Sequence, residues 1–381
     1  MKITAVEPIV VHVNRRGDWV FVQVHTDKGI TGLGEASHSS DDALALHLIA
    51  RYGHQLVGRD PSQIQAIWSS LVRRHDGRVA HTVVSAIEQA LWDVVGQALG
   101  VPVRMLFGGP VRGRIRLYAN INRHVEDRSP SGFARAAEQA VAQGISALKL
   151  APFDEVRASE LPRTGRCAAW RPGVARVEAV RAAIGDSVEL LVDCHSRFDE
   201  AGALHVAQAL AECGLYWFEE PVPHTMVSAL ERITARAPFA IASAESVFAV
   251  EGFAPFLTRR IVDVIMPDVK HCGGLLEMLR IAGAARASGV LVAPHSPSGP
   301  VSMAAGAQVM STIPNFLILE YAWGEVPWRA SLVEPAEQIE SGHLLLPDGP
   351  GIGHRLNMDV VEEHRAATTT ERDSSTALPL P

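Results

Sequence analysis

Two hydrophobic periods alternate along this chain. Residues 3–13 and 19–26 are alternating and rich in β-branched side chains, the pattern of half-buried strands. The second run ends at the Asp27-Lys28-Gly29 turn, and Ile30 to Ala36 reads as a third short strand. The chain therefore opens as an antiparallel meander. Over residues 82–99 the period lengthens: Val83, Val84, Ile87, Leu91, Val94, Val95 and Ala98 recur at helical steps on one face. Gly100 and Pro102 stop that helix. Residues 1–115 read as an α+β module.

From residue 116 onward, short apolar runs alternate with helical stretches. The runs are Ile115–Ala119, Ala147–Leu150, Glu189–Val192, Tyr216–Phe218, Phe239–Ala242, Val262–Met266, Val290–Ala293 and Leu317–Leu319. Eight strands separated by helices are what a (β/α)8 barrel of the TIM type requires. A doubly wound open sheet is the competing arrangement, disfavoured by the strand count. The barrel spans residues 116–330. The Pro- and Gly-rich segment of about 330–365 returns to complete the first module, and residues 366–381 read as a disordered tail.

Composition narrows the function classes. A net charge of −7 with both signs scattered offers no patch for nucleic acid or a membrane surface. No apolar run is long enough to span a bilayer, and the N-terminus alternates instead of carrying a secretory core. The four cysteines show no Cys-x-x-Cys pairing, so free thiols in a reducing compartment, the cytoplasm, are expected.

Residues of catalytic type follow successive strands. Asp193, Glu219 and Glu245 are each 26 residues apart, one β/α unit per step. Carboxylates repeated at the period of the architecture share the C-terminal rim of a barrel, where active sites of this fold lie. Three of them close together repel unless a cation neutralises them, and an all-oxygen set suits Mg²⁺ or Mn²⁺ better than zinc. The series continues with Asp268, His295 and Glu320, at steps of 23, 27 and 25 residues. A carboxylate one strand before a histidine can hold the imidazole, which makes Asp268–His295 the candidate acid/base dyad. His195, two residues beyond Asp193, would point the same way in an extended segment. A lone Asp after a strand is ordinarily a helix cap, and sixteen histidines make any one of them uninformative. Six polar residues on six consecutive strand ends are the signal. Glu220 should point away from Glu219 and act structurally.

These residues, with Phe218-Glu219-Glu220-Pro221, Pro267-Asp268, Gly273-Gly274 and Pro294-His295, resemble the enolase superfamily in its mandelate racemase branch. The likeness extends to Gly29–Glu35, Ala86–Asp93 and Leu106-Phe107-Gly108-Gly109, so it covers nearly the whole chain. Asp193-Cys194-His195 and the run Ala293–Pro300 look most like galactonate dehydratases and related acid-sugar dehydratases. The resemblance implies a modified (β/α)7β barrel under an α+β capping domain, with Mg²⁺, a small carboxylate substrate, an enediolate intermediate and a homo-oligomer. In such a reaction His195 is expected to remove the C2 proton, His295 held by Asp268 to protonate the departing C3 hydroxyl, and Glu320, if protonated, to hydrogen-bond the substrate carboxylate. The product would be a 2-keto-3-deoxy acid. A racemase or epimerase on the same site, and a metal-binding homologue without turnover, are the alternatives.

Two positions depart from the family pattern: Ala244, where a glycine usually precedes the third ligand, and Lys149, which stands alone where many members carry Lys-x-Lys. Lys149 could bind substrate or be a solvated strand-end residue. Arg15, Arg16, Trp19, Arg74, His75 and His81 are candidate contacts to the far end of the substrate, and Phe153–Pro172 is a candidate lid or surface loop.

Overall fold

The computed structural model of the chain describes residues 1–15, 17–73, 76–157 and 168–366. It begins with an antiparallel meander of β1 (Ile3–Asn14), β2 (Gly17–Thr26) and β3 (Thr31–Glu35). Helices α1 (Asp42–Leu56), α2 (Ile64–Leu71) and α3 (Arg78–Leu99) cover one face, and α4 (Val103–Leu106) follows. Val20, Val22 and Val24 alternate inward from β2 and meet Val83, Ile87 and Leu91 of α3 in one buried cluster, so the two periods read from the sequence share a core.

Eight parallel strands follow. They are β4 (Arg114–Asn120), β5 (Ala147–Leu150), β6 (Glu189–Asp193), β7 (Trp217–Glu219), β8 (Ala240–Ser243), β9 (Val264–Ile265), β10 (Leu291–Val292) and β11 (Leu319–Tyr321). Among the described residues seven α-helices connect them: α5 (Pro130–Ala142), α6 (Arg171–Ile184), α7 (Glu200–Ala209), α8 (Val227–Thr234), α9 (Ala249–Thr258), α10 (Leu275–Ala287) and α11 (Pro300–Met310). Strands pair in chain order from β4 to β10, and β11 pairs with β4. A parallel bridge from Val292 to Phe316 joins β10 to the chain entering β11 and closes the ring. This is a (β/α)7β barrel, and the open sheet is excluded. The last strand is Leu319–Tyr321 instead of Leu317–Leu319 because the chain pairs first with β10, through the Leu317 N–H, and only then with β4.

The remaining chain forms β12 (Val333–Glu334), β13 (Ile339–Glu340), β14 (His343–Leu345), β15 (Arg355–Leu356) and α12 (Met358–Glu363). β14 adds to β4, while Arg365 bridges Val11 of β1, so this segment touches both the barrel and the meander. Among the described residues no helix is long and apolar enough to cross a membrane, and Cys194, Cys213 and Cys272 are free and buried. Cys167, Arg16, Arg74, His75, most of the candidate lid and residues 367–381 lie outside the described residues.

The barrel interior is filled by one or two residues from each strand: Tyr118, Ala147, Leu191, Trp217, Ala242, Val264 with Met266, Ala293 and Ile318. Strand side chains return to the same face every second residue. Two positions farther on, at the C-terminal rim, stand Asn120, Lys149, Asp193, Glu219, Ala244, Asp268, His295 and Glu320. The polar series is therefore the next inward layer of the barrel, and Ala244 alone interrupts it.

Capping-module carboxylates dock onto helix N-termini of the barrel. Glu35, at the end of β3, accepts from the N–H groups of Gly299 and Ser302, both at 2.8 Å, at the start of α11. Glu88 of α3 accepts from Leu275 N–H at 2.7 Å and Leu276 N–H at 3.0 Å at the start of α10. Each pairs a negative charge with unsatisfied donors at the positive end of a helix. Gly274 belongs to this contact: its φ is +94° and a Cβ there would lie 2.1 Å from the Glu88 carboxylate. Close approach also explains Gly34, whose added Cβ would sit 2.0 Å from the Ala86 carbonyl of α3.

One substitution at two glycines should have opposite effects. Gly34→Ala should cost about 1–3 kcal/mol by forcing β3 off α3. Gly283→Ala, in the exposed middle of α10 with open space around it, should add about 0.5–1 kcal/mol through helix propensity. Urea unfolding of both variants against the parent checks the pair.

Candidate active site

Lys149 organises one side of the rim. Its ammonium, essentially unexposed, lies 2.6 Å from Glu219 Oε1, 2.9 Å from Glu320 Oε1 and 4.0 Å from Asp193 Oδ2. Burial works against the charge, but Glu219 and Glu320 outweigh it and hold the lysine well above its ordinary range. Lys149 is thus a buried cation among carboxylates and not a solvated strand-end residue. Burial also pushes Glu219 up to about 8, although Lys149 and the Trp217 indole N–H, at 2.9 Å, both donate to it.

Glu320 accepts from Asn120 Nδ2 at 2.7 Å, from Ser296 N–H at 2.8 Å and from Lys149. Burial would raise its pKa, but Lys149 and His295 overcome that and hold it below the usual carboxylate value. The expected protonated Glu320 therefore does not fit: its oxygens are occupied as acceptors, and Lys149 is the donor on this side.

Asp268 and His295 are brought together, with Nδ1 of the imidazole 2.7 Å from Asp268 Oδ2. The same oxygen takes Lys270 Nζ at 2.6 Å, and Lys270 N–H donates to the other at 2.8 Å. Against its burial, Lys270 and His271 keep Asp268 ionised well below the usual range. Burial lowers His295, opposed by Glu320 and Asp268. With Nδ1 committed, Nε2 faces the centre of the rim, 3.4 Å from Glu245 Oε2 and 4.0 Å from Glu320 Oε2.

Across the mouth, His195 grips Asp193 twice, by its N–H to Oδ1 and by Nε2 to Oδ2, both at 2.8 Å. The segment is not extended as expected. His195 and Ser196 have φ of +48° and +57°, and this left-handed turn folds the imidazole back over the carboxylate.

Ala244 explains how Glu245 reaches the rim one residue out of phase. Its φ is +84°, a conformation that glycine adopts freely and alanine does not. The turn is clamped by Glu220, whose Oε1 accepts from Ala244 N–H at 2.7 Å and Glu245 N–H at 3.3 Å. Glu245 Oε2 is buried with no hydrogen-bond donor among the described residues, and burial with Asp193 and Glu220 nearby pushes this carboxyl well above its usual value. Among the described residues, no three His, Cys, Asp or Glu side chains converge tightly enough to ligate one ion as they stand. Asp193 and Glu219 are drawn toward His195 and Lys149 instead.

The capping-module candidates separate. Arg15 lines a cavity of about 590 Å³ with Asn14, Arg123, His124, Glu126 and Glu325. Trp19 is fully buried, edge-on to Trp328 at 5.4 Å, and belongs to the core. His81 stacks on Phe248 at 3.7 Å. Sequence reasoning missed Asn120, Lys270, Arg123 and Glu325. The first two were findable: Asn120 directly follows the first barrel run, and Lys270 repeats the two-residue spacing of Asp193 and His195.

Two substitutions test this electrostatic picture. Lys149→Met strips several buried carboxylates of their nearest cation and should lower stability without metal by about 3–5 kcal/mol, seen as a lower melting temperature in chelator. Ala244→Gly should relieve the left-handed strain and gain about 0.5–1 kcal/mol in urea unfolding.

Residues 2–108 match the N-terminal domain of the mandelate racemase/muconate lactonizing enzymes, and residues 132–360 match the enolase C-terminal domain-like family. The chain is 35% identical to a D-xylonate dehydratase of Haloferax volcanii, over 91% of this chain and 85% of that protein. It is 32% identical to a D-galactonate dehydratase of Ralstonia nicotianae, over 92% of both. A solved enolase-superfamily structure from Salmonella Typhimurium superposes with a TM-score of 0.86 at 26% identity, covering 95% of this chain and 98% of that one. The chain belongs to the mandelate racemase branch of the enolase superfamily.

Proposed function

We propose that this protein is a divalent-metal-dependent dehydratase of a sugar acid, acting on an aldonate. The observation that carries the reading is the imidazole of His295: Nδ1 is held by Asp268, and Nε2 is aimed into the space bounded by Glu245 and Glu320. The names of the D-xylonate and D-galactonate dehydratases support the substrate class.

Asp193, Glu219 and Glu245 would hold Mg²⁺ or Mn²⁺. The donors are hard oxygens, Glu245 Oε2 is a buried acceptor with no hydrogen-bond donor among the described residues, and carboxylates outnumber ammonium groups at the rim. When bound, the ion supplies electrostatic stabilisation of negative charge developing on the substrate carboxylate. Lys149 adds a fixed donor beside that position, held by Glu219 and Glu320.

His195, at the more exposed edge, removes the C2 proton. His295 delivers a proton from Nε2 to the C3 hydroxyl, which leaves as water. Asp268 stabilises the imidazolium and fixes which nitrogen reacts. The C2–H and C3–O bonds break, and the resulting enol ketonises to a 2-keto-3-deoxy acid. Two imidazoles suit this because one takes a proton while the other gives one.

Keto-acid formation from a panel of aldonates and aldarates with Mg²⁺ tests the proposal, and chelator should abolish it. His295→Asn should lower kcat roughly 100- to 10,000-fold with a smaller effect on KM. Deuterium appearing at C2 of recovered substrate in D₂O, with no keto acid formed, would instead establish a racemase or epimerase.

A further inference from the structure

At the opposite end of the barrel from the crowded carboxylates, a cavity of about 390 Å³ is lined by Arg112, Arg114, Arg116 and His343, with Phe316 and Leu317 as its apolar wall. Its place follows from the strand period. Arg114, Arg116, Tyr118 and Asn120 alternate along β4; Tyr118 fills the barrel interior and Asn120 reaches Glu320 at the C-terminal rim. The two arginines therefore occupy the N-terminal end of the same series. Here β4 changes partner: Arg114 and Arg116 pair with Leu345 and His343 of β14, whereas Leu117 to Ala119 pair with β11. The cavity sits at that junction, with walls from β4, β14 and the chain entering β11.

Charge is not balanced in this cavity. Three guanidinium groups line it, no aspartate or glutamate does, and none of the three arginines forms a salt bridge among the described residues. Glu189 and Arg116 both lie near Tyr216, but Glu189 is no part of the cavity wall. Arg112 is the fixed member. One of its terminal nitrogens donates to the main-chain carbonyls of Met310 and, at 2.7 Å, Ile313, and its guanidinium lies 5.1 Å from the centre of the Phe316 ring. Burial pushes this guanidinium below its ordinary range, and no carboxylate offsets that cost. Its Nε and second terminal nitrogen donate to nothing among the described residues. Arg116 donates to Ser146 Oγ at 3.3 Å, and Arg114 is exposed.

A compact dianion answers this arrangement. Three planar forks offer more N–H donors than the two oxygens of one carboxylate can take up, whereas a phosphate group presents three terminal oxygens and close to two charges. The cavity also falls within the span of small-molecule pockets, about 300–1,000 Å³, which leaves room for an organic body against Phe316 and Leu317.

Independently of the dehydratase reading, we propose that this cavity is a binding site for a small phosphate dianion, gripped by Arg112, Arg114 and Arg116. Bound there, the phosphate ties β4 to β14 and to the chain entering β11, so it favours the closed barrel and stabilises the fold.

The test titrates the full-length, Mg²⁺-loaded protein with glucose 6-phosphate, inorganic phosphate, glucose and acetate at matched ionic strength, by calorimetry and by thermal unfolding. The two phosphates should bind and raise the melting temperature by about 3 °C at a hundredfold excess over Kd, and glucose and acetate should do neither. Arg114→Glu should weaken phosphate binding by about 10- to 100-fold, the worth of one charge-assisted hydrogen bond, with its melting temperature in chloride unchanged. Arg116→Gln gives a second reading should Arg114→Glu fail to fold. Tighter binding of glucose 6-phosphate than of inorganic phosphate supports the site with a phosphorylated metabolite as its ligand, and equal binding supports it with free phosphate. Phosphates that do no more than acetate, or whose binding both arginine variants retain in full, overturn the site. An RNA oligonucleotide that binds through Arg114 while neither small phosphate does overturns it as well.

Discussion

Six carboxylates crowd the mouth of this barrel: Asp193, Glu219, Glu220, Glu245, Asp268 and Glu320. Two buried ammonium groups, Lys149 and Lys270, face them. Charges of one sign at such spacing repel strongly in a low-dielectric interior, so every other feature of the site can be read as a means of holding them. Lys149 bridges Glu219 and Glu320, Lys270 sits on Asp268, and backbone N–H groups at left-handed turns take up Asp193 and Glu220. Glu245 Oε2 alone among these oxygens is buried without a hydrogen-bond donor among the described residues. A cation is what the proposed metal would add to this crowded set of carboxyls.

Strain gathers at the same place. His195, Ser196, Glu220 and Ala244 all have positive φ, and all lie just past the C-terminal ends of β6, β7 and β8. A parallel strand delivers side chains inward only at alternate positions. Bringing Glu245 to the rim therefore needs the turn at Ala244, and folding His195 over Asp193 needs another. The rigid barrel below and the docked capping module above hold these turns in place. Docking itself is electrostatic: Glu35 and Glu88 reach across to helix N-termini of α11 and α10. The sequence segments around these two residues are thus structural joints and not parts of the chemistry.

The barrel, its eight strands and the polar residue after most of them were legible in the sequence, because both signals are periodic. A strand buried on both faces leaves an apolar run, and the rim recurs once per β/α unit. Asp193, Glu219, Glu245, Asp268, His295 and Glu320 stood out for that reason. Partners were not legible. Nothing local shows that Lys149 reaches Glu219, that Lys270 shares an oxygen with His295, or that Trp19 is core and Arg15 is cavity wall, since these contacts join residues from different strands or modules.

The sequence by itself determined the order of strands and helices, the register of inward positions and the family, because these follow from spacing along one chain. Only the tertiary structure decided protonation and geometry. Glu320 is held below the usual carboxylate value, against its burial, because Lys149 and His295 converge on it from other strands. Ala244 does the work of a glycine because Glu220 clamps its turn. Both outcomes depend on burial and on distances across the barrel, which no local pattern encodes.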